Sequence, residues 1–140
     1  MKRDRNYEQD CLDHLIYRAS MRGPGGDMFR RRVNIRLTEG GEEYGDDNFW
    51  EIGLDRVCLE AREEAEDIVS WLLGALQVAR SLVQEGKLSQ DAWNQMSLYM
   101  MEAAQKGLEA FQLLESARAI YRDAGGDDIE KTQKESAPAS

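Results

Sequence analysis

Histidine, cysteine and proline are scarce in this chain of 140 residues, and their scarcity narrows the possible classes of protein. The single histidine, His14, argues against the usual structural and catalytic zinc sites, which use several His or Cys ligands. Cys11 and Cys58 form no CxxC pair, so they favour a reducing, cytoplasmic compartment over a disulfide scaffold. Two prolines and long stretches without turn signals favour an all-α protein.

A signal peptide and an apolar run near 18 residues are also missing, so we expect neither secretion by that route nor a membrane partner. The formal net charge of −9 argues against a nucleic-acid polymer as partner, because binding one requires a basic face. One basic cluster, Arg30-Arg31-Arg32 with Arg36, is either a solvated helix face or a contact for the phosphates of a small ligand.

Turn residues and apolar spacing predict four main helices, over about residues 5–21, 27–44, 52–85 and 89–123. Gly86 is expected to stop the third helix, and Ser89 to cap the fourth. Short connections predict an all-α bundle of four to five helices. We expect one domain over residues 1–124 and, because residues 125–140 are polar, a disordered C-terminal tail.

The third helix is the most informative element, because four acids fall within about 100° of arc at about 100° per residue: Glu60, Glu63, Glu64 and Asp67. The opposite side is predicted to be a core stripe of Val57, Ala61, Ala65, Ile68, Leu72, Ala75, Leu76 and Ala79. Like charges one turn apart repel, and Arg62 is the one base between Leu59 and Trp71. The acids therefore form either a solvated face or a site for a hard cation with oxygen ligands.

A second acidic segment completes a resemblance to a known family. Glu63-Glu64-Ala65-Glu66-Asp67 matches an EExxD motif, and Glu39-Gly40-Gly41-Glu42 matches an ExxE motif upstream of it. Both motifs are typical of the MazG-like, all-α NTP pyrophosphatase superfamily, which the chain resembles over residues 30–80.

The closer resemblance is to small phage-type members of that superfamily. It rests on Glu43-Tyr44-Gly45-Asp46, followed by a helix of the pattern LxxExxxExxD and an aromatic residue. In this chain the helix pattern is filled by Val57 (in the Leu position), Glu60, Glu64, Asp67 and then Trp71. The chain departs from the family at Gly40-Gly41, where a regular helix is usual, and at Gly74, where many members carry Asn.

The resemblance implies a fold of this superfamily and hydrolysis of a (d)NTP, such as dGTP or another dNTP, to the monophosphate and pyrophosphate. It implies a Mg²⁺ or Mn²⁺ cofactor held by Glu60, Glu64 and Asp67, with an upstream ligand from Glu39, Glu42 or Glu43. Glu63 is then a further ligand or the general base, so Glu63 and Glu64 are the candidate catalytic residues. The resemblance also implies a homodimer or homotetramer, in the host cytoplasm if the chain is phage-encoded.

Two sets of residues are candidates for substrate binding. Trp71 and Gly74 lie on the acidic side of the third helix with Val78, and form either a slot for a nucleobase or a packing surface against another helix or subunit. Arg32 and Arg36 are candidate phosphate contacts. The alternative function is a non-catalytic helical interaction protein whose acidic face binds a basic partner.

Overall fold

The computed structural model describes residues 3–20, 23–44 and 52–130, with the backbone alone for residues 41–44, and these residues form α-helices and connecting turns without β-strands. The four long helices are α1 (Arg5–Arg18), α2 (Pro24–Tyr44), α3 (Leu54–Gln84) and α4 (Gln90–Asp123). The prediction of an all-α protein is thereby confirmed. Within the described ranges, no helix combines the length and apolarity that crossing a membrane requires.

Local chemistry explains where the helices end. The Ser89 side chain accepts a hydrogen bond from the Ala92 N–H at 3.1 Å and caps α4, as predicted. Gly86 follows α3 with a φ of +73°, a conformation that glycine adopts without a steric penalty. Pro24 begins α2 three residues before the predicted start, and its fixed φ suits the first turn of a helix.

The chain divides into two compact units, Met1–Leu54 and Asp55–Ser140. In the first unit, α1 buries Leu12 and Ile16. The Gln9 amide donates to Asn34 Oδ1 at 2.6 Å, which joins α1 to α2. The unit therefore combines a small apolar core with polar links between its helices.

The second unit is a pair of long helices, and the buried face of α3 differs from the predicted one. Ala65 and Ala79 are buried as expected, but Ala61 and Ile68 are exposed, so the predicted stripe is wrong at these positions. The face of α3 that points inward is rotated about the helix axis relative to the predicted stripe, and it includes the buried Asp55 and the half-buried Arg62. The reason is an ion network with α4, described below, which draws charged side chains into the interior.

Gly107 marks a close approach between α3 and α4. A Cβ atom added there would lie 2.9 Å from Val69 Cγ2 and 3.4 Å from the Ala65 carbonyl oxygen. The distance to Val69 Cγ2 is shorter than ordinary carbon contacts of about 3.5–4.0 Å, while the distance to the carbonyl oxygen is an ordinary van der Waals contact. The absence of a side chain at residue 107 therefore sets the spacing of the two helices.

We expect Gly107→Ala to lower the free energy of unfolding by about 1–3 kcal/mol, because the added methyl overpacks this contact. Chemical denaturation followed by circular dichroism measures the effect. The matched control is Gly40→Ala in α2, where an added Cβ meets nothing within 4 Å, so the change should be neutral or stabilising by about 0.5–1 kcal/mol. A Gly107→Ala protein as stable as the original would contradict the close approach.

Candidate functional site

The acidic side of α3 is a row of exposed carboxylates: Glu60, Glu63, Glu64 and Asp67. Glu60 is paired with Arg56, with 2.6 Å between Oε1 and Nη2. The other three acids of the row form no ion pair with any residue that the structure describes. Glu64 and Asp67 are three residues apart, which places their Cβ atoms about 5–6 Å from each other.

Arg62, the one base within the acidic run, turns away from this row. Its Nη1 lies 2.8 Å from Glu115 Oε1, and its Nη2 lies 2.6 Å from Glu130 Oε1. The guanidinium also covers the Phe111 ring, with 5.5 Å between Cζ and the ring centroid. Arg62 therefore compensates acids of α4 and the following segment and leaves Glu64 and Asp67 without a cation.

A buried ion network lies on the inward face of α3, away from the acidic row. Arg118 is fully buried and donates through Nε and Nη2 to the two carboxylate oxygens of Asp55, at 2.8 and 3.2 Å. Its Nη1 donates to Glu115 at 2.9 Å and to Glu130 at 3.2 Å. The hydrogen bonds from Arg118 hold the pKa of Asp55 below its usual value, against the opposing effect of burial. This network fixes the start of α3 against the end of α4.

The segment after α4 completes the network. The Ile129 N–H donates to Asp55 Oδ2 at 2.9 Å, and Arg122 contacts Asp128 at 3.2 Å. Asp128, Ile129 and Glu130 fall inside the predicted disordered tail, residues 125–140, of which residues 131–140 lie outside the described part of the chain. Asp128 and Glu130 find partners because α3 and α4 present arginines to them, namely Arg122 for Asp128, and Arg62 and Arg118 for Glu130.

Sequence reasoning missed this network, although the sequence carries a signal for it. Asp55 and Arg62 share the helical face of Leu59, three to four residues from it on either side, and so occupy core positions. Charged residues at core positions are rarely buried unless they are paired. The spacing indicates inward-facing charges but does not identify their partners on α4.

The donor set on α3 is suited to a hard cation but is incomplete by itself. Glu64 and Asp67 offer carboxylate oxygens on adjacent turns, which is the ligand type that Mg²⁺ takes. Among the described residues, no three His, Cys, Asp or Glu side chains come together in a group that could hold a metal ion. These residues therefore fit as part of a ligand set that needs carboxylates from another segment.

The predicted upstream ligands lie on α2 of the first unit. Glu39 is exposed and within 3.5 Å of Arg36, so two predicted site residues pair with each other. The side chains of Glu42 and Glu43 lie outside the described residues. Arg32 is exposed, and its role in binding phosphate stays a prediction.

An apolar groove of about 520 Å³ lies beyond the acidic row, between α3 and α4. Trp71, Gly74 and Val78 all line it, so the structure brings these three residues of the acidic side around one concavity. The remaining lining residues are Ala75, Ala79, Leu82, Leu88, Met96 and Met100. Trp71 is 79% exposed at the edge of the groove.

Comparison with known proteins gives no match to this chain, whether by family model, curated protein or solved structure. The resemblance to the MazG-like superfamily therefore rests on the motif residues themselves.

Proposed function

We propose that this chain is a Mg²⁺- or Mn²⁺-dependent nucleotide pyrophosphohydrolase of the MazG-like, all-α type, which converts a (d)NTP to the monophosphate and pyrophosphate. The observation that carries the proposal is the exposed row on α3, in which Glu63, Glu64 and Asp67 lack a described cation partner. The nearest base, Arg62, is engaged by Glu115 and Glu130. A row of uncompensated acids offers a divalent ion part of the carboxylate ligand set that it needs.

Glu64 and Asp67 would hold the ion, together with Glu60 and an upstream carboxylate from Glu39, Glu42 or Glu43. When bound there, a divalent ion would supply charge neutralisation for the triphosphate and a lowered pKa for a coordinated water. The exposed Glu63 carboxylate lies beside Glu64 and can accept the proton of the attacking water at one of its oxygens. The Asp55–Arg118 network positions these residues, because it prevents α3 from turning relative to α4.

The first test is pyrophosphate release from a panel of NTPs and dNTPs, including dUTP, with Mg²⁺ or Mn²⁺. We expect release from one or a few nucleotides, and none in the presence of a chelator. Millimolar Mg²⁺ should also raise the Tm, since a ligand at 100 times its Kd stabilises the folded state by about 2.7 kcal/mol. Sodium chloride at matched ionic strength is the control for screening of the acids.

A folded protein that releases no pyrophosphate from any nucleotide, and whose Tm responds equally to Mg²⁺ and to matched salt, would contradict the proposal. Such a result would favour the alternative, an interaction protein whose acidic face binds a basic partner. A positive panel would at the same time identify the base and the sugar of the substrate.

A further inference from the structure

A stripe of exposed side chains runs along α4 beside the face that packs on α3. That inner face buries Ala104, Gly107 and Arg118. The residues that directly precede the inner positions lie about 100° around the helix axis from them, and they follow one another at alternating spacings of four and three residues. The apolar and aromatic members of this outer stripe are Tyr99, Ala103, Ala110, Leu113, Ala117 and Ile120, and Lys106 fills the remaining position.

The large side chains of the outer stripe are uncovered. Leu113 is 70% exposed, Ile120 is 71% exposed and Tyr99 is 75% exposed. Spacings that alternate between four and three residues are typical of a coiled-coil seam, where a second helix covers the apolar residues. The alanines at every seventh position leave room between the large residues for side chains of that second helix. The outer stripe therefore has the form of a docking surface for a helix.

The two edges of the outer stripe differ in what lies beside them. One edge adjoins Gly107, where α4 approaches α3 closely. The free edge carries Glu102 and Glu109, which are one heptad apart, and Asp123 two heptads beyond Glu109. Charges beside a coiled-coil seam face the flank of the partner helix and select its charge. A helix with Lys or Arg beside its seam is therefore complementary to this edge, in a chain whose net charge is −9.

A second copy of the chain lacks this complementarity. In an antiparallel pair related by a two-fold axis, the same edge of each helix faces its counterpart, so Glu109 would oppose acids of the other copy. In a parallel pair, the acidic edge would face the edge of the other helix that α3 already occupies. Like charges placed across an interface suppress such pairing. The charges beside the outer stripe therefore favour a partner other than this chain.

Lys106 specifies a further property of the partner. It is the charged member of the outer stripe, and its Nζ lies 3.4 Å from Glu109 Oε2. A charge within an apolar seam fixes the register of the two helices, and it needs hydrogen-bond acceptors once a second helix covers it. The partner helix should therefore carry an acidic or amide side chain opposite Lys106.

We propose that the outer stripe of α4 binds an amphipathic helix of another protein. This helix has large aliphatic side chains in its seam, one acidic or amide residue opposite Lys106, and basic residues along its flanks. The outer stripe includes neither the acidic row of α3 nor the residues that line the groove at Trp71. The proposal is therefore independent of the proposed enzymatic activity and of a basic partner on the acidic row.

Fluorescence anisotropy of a labelled synthetic helix with the full chain tests the proposal. The basic peptide has about 21 residues, or three heptads, with Leu in the seam, one Glu among these leucines, and Lys at the flanking positions. The acidic peptide differs only in having Glu at the flanking positions. We expect saturable binding of the basic peptide, with a Kd at least about tenfold lower than that of the acidic peptide.

Two leucines of α4 provide matched variants. Leu113→Gln removes a large member of the outer stripe and should raise the Kd of the basic peptide at least about tenfold. Leu98 is 73% exposed but lies off the stripe, about 100° from Tyr99, so Leu98→Gln should change the Kd less than about twofold. Glu109→Lys should weaken binding of the basic peptide and strengthen binding of the acidic peptide, a reversal that misfolding cannot produce.

Several results would overturn the proposal. They are no saturable binding of the basic peptide, equal binding of the two peptides, and equal losses in Leu113→Gln and Leu98→Gln. Sedimentation velocity adds another: a dimer of the original chain that Leu113→Gln dissociates would assign the outer stripe to a second copy. Binding that Glu64→Gln abolishes and Leu113→Gln leaves intact would assign the basic peptide to the acidic row of α3.

Discussion

Glu64→Gln is expected to lower the kcat for pyrophosphate release by at least about 100-fold, since losing groups that merely support a metal ligand already costs about 10–100-fold. Stability should be unchanged or slightly higher. Glu64 is exposed, and no basic side chain among the described residues pairs with it. Removing its charge relieves the repulsion from Glu60 and Asp67, which costs about 0.2–0.5 kcal/mol per pair. Steady-state kinetics with saturating Mg²⁺, beside thermal denaturation, separates the two effects.

The control for this prediction is Glu66→Gln. Glu66 belongs to the same acidic run, but it faces Arg62 at 3.8 Å rather than the row of Glu64 and Asp67. Its replacement removes the same charge from the same helix and should leave kcat within about twofold, as expected for a surface change away from the site. Equal losses in both variants would show that overall charge, and not a ligand, controls the activity.

Arg118→Met is expected to have the largest effect on folding, a loss of about 3–5 kcal/mol, because it leaves buried acids without their cation. Because the unbranched Met side chain fills much of the space of Arg118, the loss of unfolding free energy reflects the missing charge more than a cavity. Urea denaturation measures it. Arg122→Met is the matched control: Arg122 is 32% exposed and pairs with Asp128, so its loss should cost at most about 1 kcal/mol.

Adding Asp55→Asn to Arg118→Met should restore part of the lost stability, since it removes the uncompensated carboxylate of Asp55 along with its partner. A double variant as unstable as the sum of the two single variants would contradict direct coupling between Asp55 and Arg118. The comparison therefore tests the ion pair itself and not only the burial of its members.

The same network predicts a loss of stability in acid. Hydrogen bonds from Arg118 lower the pKa of Asp55 below 3.8, and those from Arg62 and Arg118 lower the pKa of Glu115 below 4.5. Their contribution is fully present above these ordinary values and is lost as the pH falls through the lowered values of the folded state. Unfolding free energies measured from pH 6 to 2.5 should fall more steeply for the original chain than for Arg118→Met.

Local signals explain why the helices were predictable from the sequence. Ser89 caps a helix through a hydrogen bond within its own first turn, and Gly86 ends one through its own backbone angle. Neither depends on distant residues. The exposure of Glu64 and Asp67 follows in the same way from spacing along a single helix.

The partners of the inward-facing charges of α3 were not predictable by the same reasoning. Arg62 turns toward Glu115, which is 53 residues away, and Asp55 binds Arg118, which is 63 residues away. Apolar periodicity predicts that Ala61 is buried and Arg62 exposed. In the structure Ala61 is exposed and Arg62 is half-buried, because Arg62 pairs with Glu115 and Glu130. The number and source of the remaining ligands in the proposed metal site depend on the same kind of long-range placement.

The ion network also limits when this unit can complete its fold. Asp55 accepts a hydrogen bond from the N–H of Ile129, which is 74 residues away, and Arg62 pairs with Glu130 as well as with Glu115. Contacts between such distant residues form late, because a long loop must close before they yield any stabilisation. During synthesis, Asp55 and Arg62 leave the ribosome long before their last partners exist. The charge cluster therefore closes only after the segment that carries Ile129 and Glu130 has emerged, and the start of α3 becomes fixed against α4 after that point.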